Sequence, residues 1–392
     1  MINSKDFKTK TIFEKREYPG ADGFYGIALD IGYSAVKGFG PHGHFCFPAY
    51  VRKLSDERTS LKQPSPSDII YRDNENGTWA VGEMAYEEMA SSEIMDSEKE
   101  LYGRLRYYTP SFKIIARAGL AMALNSDVTG CAERKAIAVQ TGLPPEYLRG
   151  DSPYIKDVLA GSHDFYMRIG NGEWKNYRFY VADSNIFVMP QPMGTLISVS
   201  VDREGRQIKE AEKYLNSNVI IFDPGFGTLD DYPIANGRVI GLGETFPELG
   251  MHEVLARTCE DIEKAYGIKL QVPQLQERLA EGTVMITDIV NMKRRAADFT
   301  GFLEKNCRQV CSDAIEKMKA IHGYFQKTDY IIGTGGTYDA WKEQFGTVFR
   351  DMEKLTIVSG NINDPSLSNI FSNVRGYYFY LMNKLKQKTA AQ

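Results

Sequence analysis

Two stretches of the chain, "IALDIGYSAVKGFG" at residues 27–40 and "IIFDPGFGTLDDYP" at residues 220–233, follow one plan. Each runs from apolar residues to an aspartate, one further residue, a glycine, and then small or hydroxyl residues. Ile27-Ala28-Leu29 and Ile220-Ile221-Phe222 read as buried strands, so Asp30 and Asp223 fall at equivalent strand ends. Gly32 and Gly225 allow a tight turn directly afterwards. Lys37 adds a cation seven residues beyond Asp30. A carboxylate, a flexible turn and a cation suit a metal-bound polyphosphate. Taken alone, the first stretch reads equally as an ordinary β-hairpin with a capping aspartate.

Two copies in one chain point to two α/β halves, each opening with a phosphate-type hairpin, that clamp a polyphosphate. The backbone N–H groups of Gly32, Gly225 and Gly227 have no Cβ to hold a phosphate away. Asp30 and Asp223 would hold Mg²⁺ through waters, because Mg²⁺ keeps much of its hydration shell. Lys37 would neutralise phosphate charge. A third stretch, "YIIGTGGTYDAW" at 330–341, sets Gly333, Gly335 and Gly336 between a strand and a helix. It lacks the G-x-G-x-x-G dinucleotide spacing and the Gly-Lys-Ser/Thr of a P-loop. Alone, a bare turn accounts for it.

The 392 residues exceed one ordinary core, so two domains are expected. With 43% hydrophobic and 25% charged residues the composition is that of a soluble globular protein. The net charge of −4 argues against a chain-wide electrostatic grip on nucleic acid. Lys293-Arg294-Arg295 reads as a solvated helix face. No apolar run approaches a membrane span, and "MINSKDFKTKTIFEKRE" lacks the apolar core of a signal peptide, so a cytoplasmic protein with no membrane contact is expected. The five cysteines fit reduced thiols. Cys307 with Cys311, and His42 with His44 and Cys46, share faces, but neither set has four ligands at zinc-site spacing.

Along the chain, residues 1–24 read as a polar extension, and about 50–104 as a small inserted subdomain ending in an acidic helical stretch from Met84. "SFKIIARAGLAMAL" reads as a helix, Ala136–Thr141 as a buried strand, and "DFYMRIGNGEWKNYRFYVA" as a hairpin. "NIFVMPQPMGTL" reads as a strand and then a breaker. Residues 250–325 read as mostly helical, and the chain ends in a helix.

These motifs, in this order, resemble the ATPase superfamily of actin, Hsp70 and the sugar kinases. Residues 27–38, 186–196, 219–232, 330–338 and 370–380 match its five motifs. Within it, "VQTGLP", "VMPQPMGT" and "NVRGYY" resemble the bacterial actins of plasmid segregation, the ParM/StbA group. The resemblance implies an α/β, actin-like ATPase fold: two duplicated ribonuclease-H-like domains flanking a nucleotide cleft. Residues 25–190 with 365–392 would form one domain. Residues 191–364, with a helical insertion at about 246–325, would form the other.

Carried over position by position, Asp30, Asp223 and Gln191 are the catalytic set, Gln191 orienting the attacking water and both aspartates serving Mg²⁺. Gly32, Tyr33, Ser34 and Lys37, then Gly225, Phe226, Gly227 and Thr228, then Gly333, Gly335, Gly336 and Thr337, would contact nucleotide. Tyr33 stands where relatives carry a small hydroxyl residue, which leaves open the group behind the γ-phosphate. Pro224 stiffens the second hairpin.

The activity implied is slow hydrolysis of Mg-ATP or Mg-GTP, carried by positioning and electrostatics and coupled to a head-to-tail filament. Its implied partner is a DNA-binding segregation adaptor, with no direct DNA contact by this chain. The alternatives are a small-molecule kinase of the same superfamily, and an actin-like filament that positions organelles or shapes cells. A kinase needs a carboxylate base aimed at an acceptor hydroxyl, and no extra acidic residue stands beside Gln191.

Overall fold

The computed structural model describes residues 3–54, 65–86, 104–124, 135–236, 238–241, 243–288 and 293–390. The chain divides into two units. One joins Lys10–Ala211 to Asn361–Gln392, and the other joins Met1–Thr9 to Glu212–Gly360.

The first unit is built on a six-stranded sheet in the order Ile12–Lys15, Gly43–Pro48, Ala35–Gly40, Phe24–Ile31, Ala136–Leu143, Ile186–Pro190. The first four strands are antiparallel, and the last two add in parallel. Phe24–Ile31 lies in the middle and is covered on both faces. Its alternate residues Ile27, Leu29 and Ile31 pack with Phe112 and Ile115 of the helix Pro110–Leu124. Ala28, on the opposite face, packs with Val374, Tyr377 and Tyr378 of the terminal helix Ser372–Ala390. A strand buried on both faces reads as a continuous apolar run, which is why its period of two is hidden in the sequence.

A second, five-stranded sheet of this unit runs Lys175–Val181, Gly161–Ile169, Ile69–Asp73, Gly77–Val81, Val51–Lys53. The inserted subdomain therefore recruits the hairpin at 161–181 as well as residues before 104. Most of the acidic stretch after Met84 lies outside the described residues.

The other unit carries a sheet in the order Arg238–Val239, Leu229–Ala235, Asn218–Pro224, Tyr330–Gly333, Thr356–Ser359, with Glu244–Phe246 also paired to Leu229–Ala235. Helices Met251–Tyr266, Thr300–Ile321 and Gly335–Val348 close its core around Phe222, Trp341 and Phe345. Cys307 and Cys311 are buried in that core. Among the described residues no helix is long and apolar enough to cross a membrane, and no cluster of metal-ligating side chains of three or more occurs.

The structure departs from the sequence reading at several places. Residues 1–24 are not a free extension. Ile12–Lys15 pairs with Gly43–Pro48, while Phe7 joins the core of the other unit. The domain boundary expected at 190/191 lies at 211/212, and the return expected at 364/365 lies at 360/361. The segment after Pro190 is not a breaker but the helix Gln191–Ser200, with a proline in its first turn. Proline is tolerated there because that turn's N–H groups have no helical partner. Residues 250–325 are interrupted by a hairpin, Thr283–Asp288 with Lys293–Asp298. Lys293, Arg294 and Arg295 are exposed on a strand of that hairpin, not on a helix.

Candidate functional site

Asp30 stands on the strand Phe24–Ile31 directly across from Lys37, so the seven-residue spacing is the register of a hairpin. Lys37 Nζ donates to Asp30 Oδ2 at 2.9 Å. Gln191, the first residue of its helix, donates through Nε2 to Asp30 Oδ1 at 3.0 Å. Three expected site residues are thus brought together, two of them 161 residues apart. Asp30 is 2% exposed, so each of its oxygens has exchanged water for a protein donor.

The turn between these strands is closed by the Gly32 N–H, which donates to the Ala35 carbonyl at 3.0 Å. The second hairpin repeats the bond: Gly225 N–H donates to the Thr228 carbonyl at 2.7 Å. The sequence reading assigned these two amides to phosphate, and the structure spends both on closing their turns. Residues 32–34 and 225–227 form half-buried tips. In the second tip the carbonyl of Gly225 accepts from Met251 N–H at 3.1 Å and from Thr337 Oγ1 at 2.8 Å. The carbonyl of Phe226 accepts from His252 N–H at 2.8 Å. A trans peptide sets its N–H opposite its carbonyl, so the N–H groups of Phe226 and Gly227 point away from these anchors. Successive amides turned one way make an anion-binding concavity.

Tyr33 packs against a residue the sequence did not single out. The Arg106 guanidinium lies 4.6 Å from its ring centroid and donates to the Ile31 carbonyl at 2.6 Å. Ser34 is half-buried beside it, and its carbonyl accepts from Ala49 N–H.

In the third loop, Gly333 ends its strand and its carbonyl accepts from Gly360 N–H at 2.8 Å. Gly335, Gly336 and Thr337 form the first turn of the helix Gly335–Val348. Gly335 has φ +86°, and a Cβ there would stand 3.2 Å from both Asp223 Oδ1 and the Pro224 carbonyl oxygen. The Thr337 hydroxyl bond to Gly225 ties this helix start to the second tip. A helix N-terminus presents unpaired N–H groups and the positive end of its dipole, both suited to phosphate.

Asp223 is 7% exposed and sits directly across from Asp230, a residue the sequence reading passed over. Its signal was present: Asp230 follows Asp223 at the spacing by which Lys37 follows Asp30. Thr228 Oγ1, expected to face nucleotide, donates to Asp230 Oδ2 at 3.5 Å. Burial, and next the charge of Asp223, hold the Asp230 carboxyl well above the ordinary carboxylate range. The oxygen-only donors Asp223 and Asp230 fit Mg²⁺, which prefers such ligands.

Residues 28–194 match the family model of the N-terminal domain of actin-like proteins. No curated protein matches the sequence. Among solved structures, a non-polymerisable quadruple mutant of pCBH ParM is 19% identical, with a TM-score of 0.70 over 93% of this chain and 99% of that one. A 15-stranded ParM filament from Clostridium botulinum is 18% identical, with a TM-score of 0.68 over 92% and 99%. An archaeal actin homologue, Ta0583, in complex with ADP, is 14% identical, with a TM-score of 0.59 over 94% and 100%. The chain has the actin-like fold.

Proposed function

We propose that this actin-like chain is a filament-forming ATPase of the plasmid-segregation type, working in the cytoplasm. The reading is carried by one cluster on this fold: Asp30 gripped between Lys37 and Gln191. It is supported by the repeat of the same turn in the other unit. It is supported too by the likeness to a ParM filament and to a homologue that holds ADP.

In this reading the hairpin and loop residues bind the phosphates of ATP or GTP. Phe226 and Gly227 supply amides, Gly335, Gly336 and Thr337 supply a helix N-terminus, and Lys37 supplies a positive charge. Asp30 and Asp223 are the residues that would serve Mg²⁺, which would neutralise charge on the transferring phosphoryl group. Gln191 is fixed by Asp30 with its amide group poised to orient a water. A glutamine is a poor base, so positioning alone gives slow turnover, as a filament timer requires. Nucleotide would favour a polymerising state by binding it more tightly than the other state. Head-to-tail contacts then extend without closing. A DNA-binding adaptor would link the filament to its cargo.

Light scattering recorded with phosphate release, on the purified chain with Mg-ATP or Mg-GTP, tests this. Scattering should rise and then decay as phosphate appears. Gln191→Ala should slow phosphate release by roughly a hundredfold and prolong the scattering signal. Asp223→Ala should abolish both signals. A flat scattering trace over a broad concentration range would remove the filament reading and direct the search to hydroxylated acceptors of a kinase.

A further inference from the structure

Gln191 is held at both ends. Its side-chain amide is fixed by Asp30. Its backbone carbonyl accepts from the Tyr377 hydroxyl at 3.4 Å, a long bond that comes from the terminal helix Ser372–Ala390. One turn further along, Thr195 Oγ1 donates to Asn373 Oδ1 at 2.7 Å. Gln191 and Thr195 are four residues apart and share one face of their helix, and Asn373 and Tyr377 share a face of theirs in the same way. The two bonds therefore join face to face, a turn apart on each helix. Thr195 and Tyr377 are both buried, so neither hydroxyl can exchange its partner for water. The slot that lets Tyr377 in is made by glycines from two other elements. A Cβ on Gly142, in the strand Ala136–Leu143, would collide with the Tyr377 hydroxyl, and a Cβ on Gly194 would collide with its ring. Phenylalanine would fill that slot as well, so packing alone does not call for the hydroxyl.

One contact leaves a helix free to turn about its own axis, and two contacts a turn apart do not. A slip by one residue would swing Gln191 through about 100° and carry its amide off Asp30. We propose that Tyr377 and Asn373 are positioning residues for Gln191. They set the rotation of the helix Gln191–Ser200, and with it the place of the amide that orients the attacking water. They act through Gln191 and not on the nucleotide. The proposal rests on the hydrolysis reading above and gives its Gln191 a support from the far end of the chain.

The test is phosphate release by the full chain over a range of Mg-ATP or Mg-GTP concentration. Tyr377→Phe removes one oxygen. Thr195→Val removes the hydroxyl that Asn373 holds and keeps the volume. Each should lower kcat by about fivefold and leave KM within about twofold, since a displaced amide costs rate and not binding. Thr195→Ser, which restores the hydroxyl, should recover most of the rate. In a Gln191→Ala background neither substitution should slow release further. A lower melting temperature with kcat and KM unchanged, or the same further loss of rate without Gln191, would overturn the proposal. The side-chain amide of Gln191 gives a second readout that needs no turnover. Its ¹⁵N–¹H resonances, identified by their loss in Gln191→Ala, should move in Tyr377→Phe and in Thr195→Val, and unmoved resonances would also overturn it. A chain that releases no phosphate fails the hydrolysis reading, and the Gln191 resonances still judge the positioning.

Discussion

Asp30 and Asp223 begin from the same local sequence and end in different electrostatic surroundings. Asp30 has a donor on each oxygen, from Lys37 and Gln191. Asp223 faces a second carboxylate. The third loop presses on the second hairpin at Gly335. Its φ of +86° disfavours any side chain, and a Cβ would crowd Asp223 Oδ1 and the Pro224 carbonyl. Gly335→Ala should cost about 1–2 kcal/mol of stability through that strain. It should also weaken ADP binding by about tenfold, read by calorimetry, because the helix start shifts away from Asp223. Unchanged affinity would separate Gly335 from the nucleotide. At this scale the hairpin carrying Asp30 and Lys37 was legible, but the ion pair between them was not, because the sequence reading gave Lys37 to phosphate. The Gln191 contact was not, because no local rule links residues 161 positions apart. Nor was Arg106, whose hold on Tyr33 and Ile31 comes from a separate element.

Among the elements, the terminal helix Ser372–Ala390 depends on a close crossing with the helix Gln191–Ser200. A Cβ on Gly376 would lie 1.8 Å from the Gly194 carbonyl oxygen, so the helices touch backbone to backbone. Arg375 clamps the same crossing, donating to the Ser198 carbonyl at 2.7 Å and the Asp202 carbonyl at 2.6 Å. Gly376→Ala cannot be absorbed by a side-chain rotation. It should cost about 3 kcal/mol or more through forced separation of the helices, read as a lower urea midpoint. A loss near the few tenths ordinary for an exposed helix position would show that the crossing yields. Because Gln191 opens the partner helix, the same variant should slow phosphate release in whatever fraction stays folded. The elements themselves were mostly readable from periodicity. The exceptions have causes: Pro192 resembles a breaker until its place in the first turn is known, and Thr283–Asp288 is a short strand embedded among helices.

For the molecule as a whole, histidine burial sets a pH dependence of folding. His163 lies in the five-stranded sheet, stacked on Phe179 at 4.8 Å, with Nε2 donating to the Leu159 carbonyl at 3.1 Å. Burial, opposed by the Leu159 hydrogen bond and aided by the positive charges of Arg117 and Lys113, pushes its pKa down to about 4. The unfolded chain keeps an ordinary value of about 6.5, so the unfolded state takes up the proton first. Stability from this group is complete above the unfolded value, falls as pH drops below it, and levels off below about 4. Burial shifts His44 and His252 in the same direction. Replacing His163 by Phe should flatten the decline by about 2 kcal/mol at pH 5, measured as the difference in urea stability between pH 7.5 and pH 5. An identical decline in both proteins would place the titration elsewhere.

The sequence by itself determined the duplicated strand–aspartate–turn plan, the third glycine-rich loop, and from their order the actin-like fold that the structural relatives share. Those features are local: an apolar run makes the strand, a glycine makes the turn, and hairpin register sets the pairing across it. Only the tertiary structure decided where each unit ends, that residues 12–15 complete a sheet edge, and that Gln191 reaches Asp30. It alone decided that the amides of Gly32 and Gly225 close their own turns. These are statements about which groups lose water and which find partners. That depends on packing between segments far apart in the chain, and no spacing along one segment encodes it.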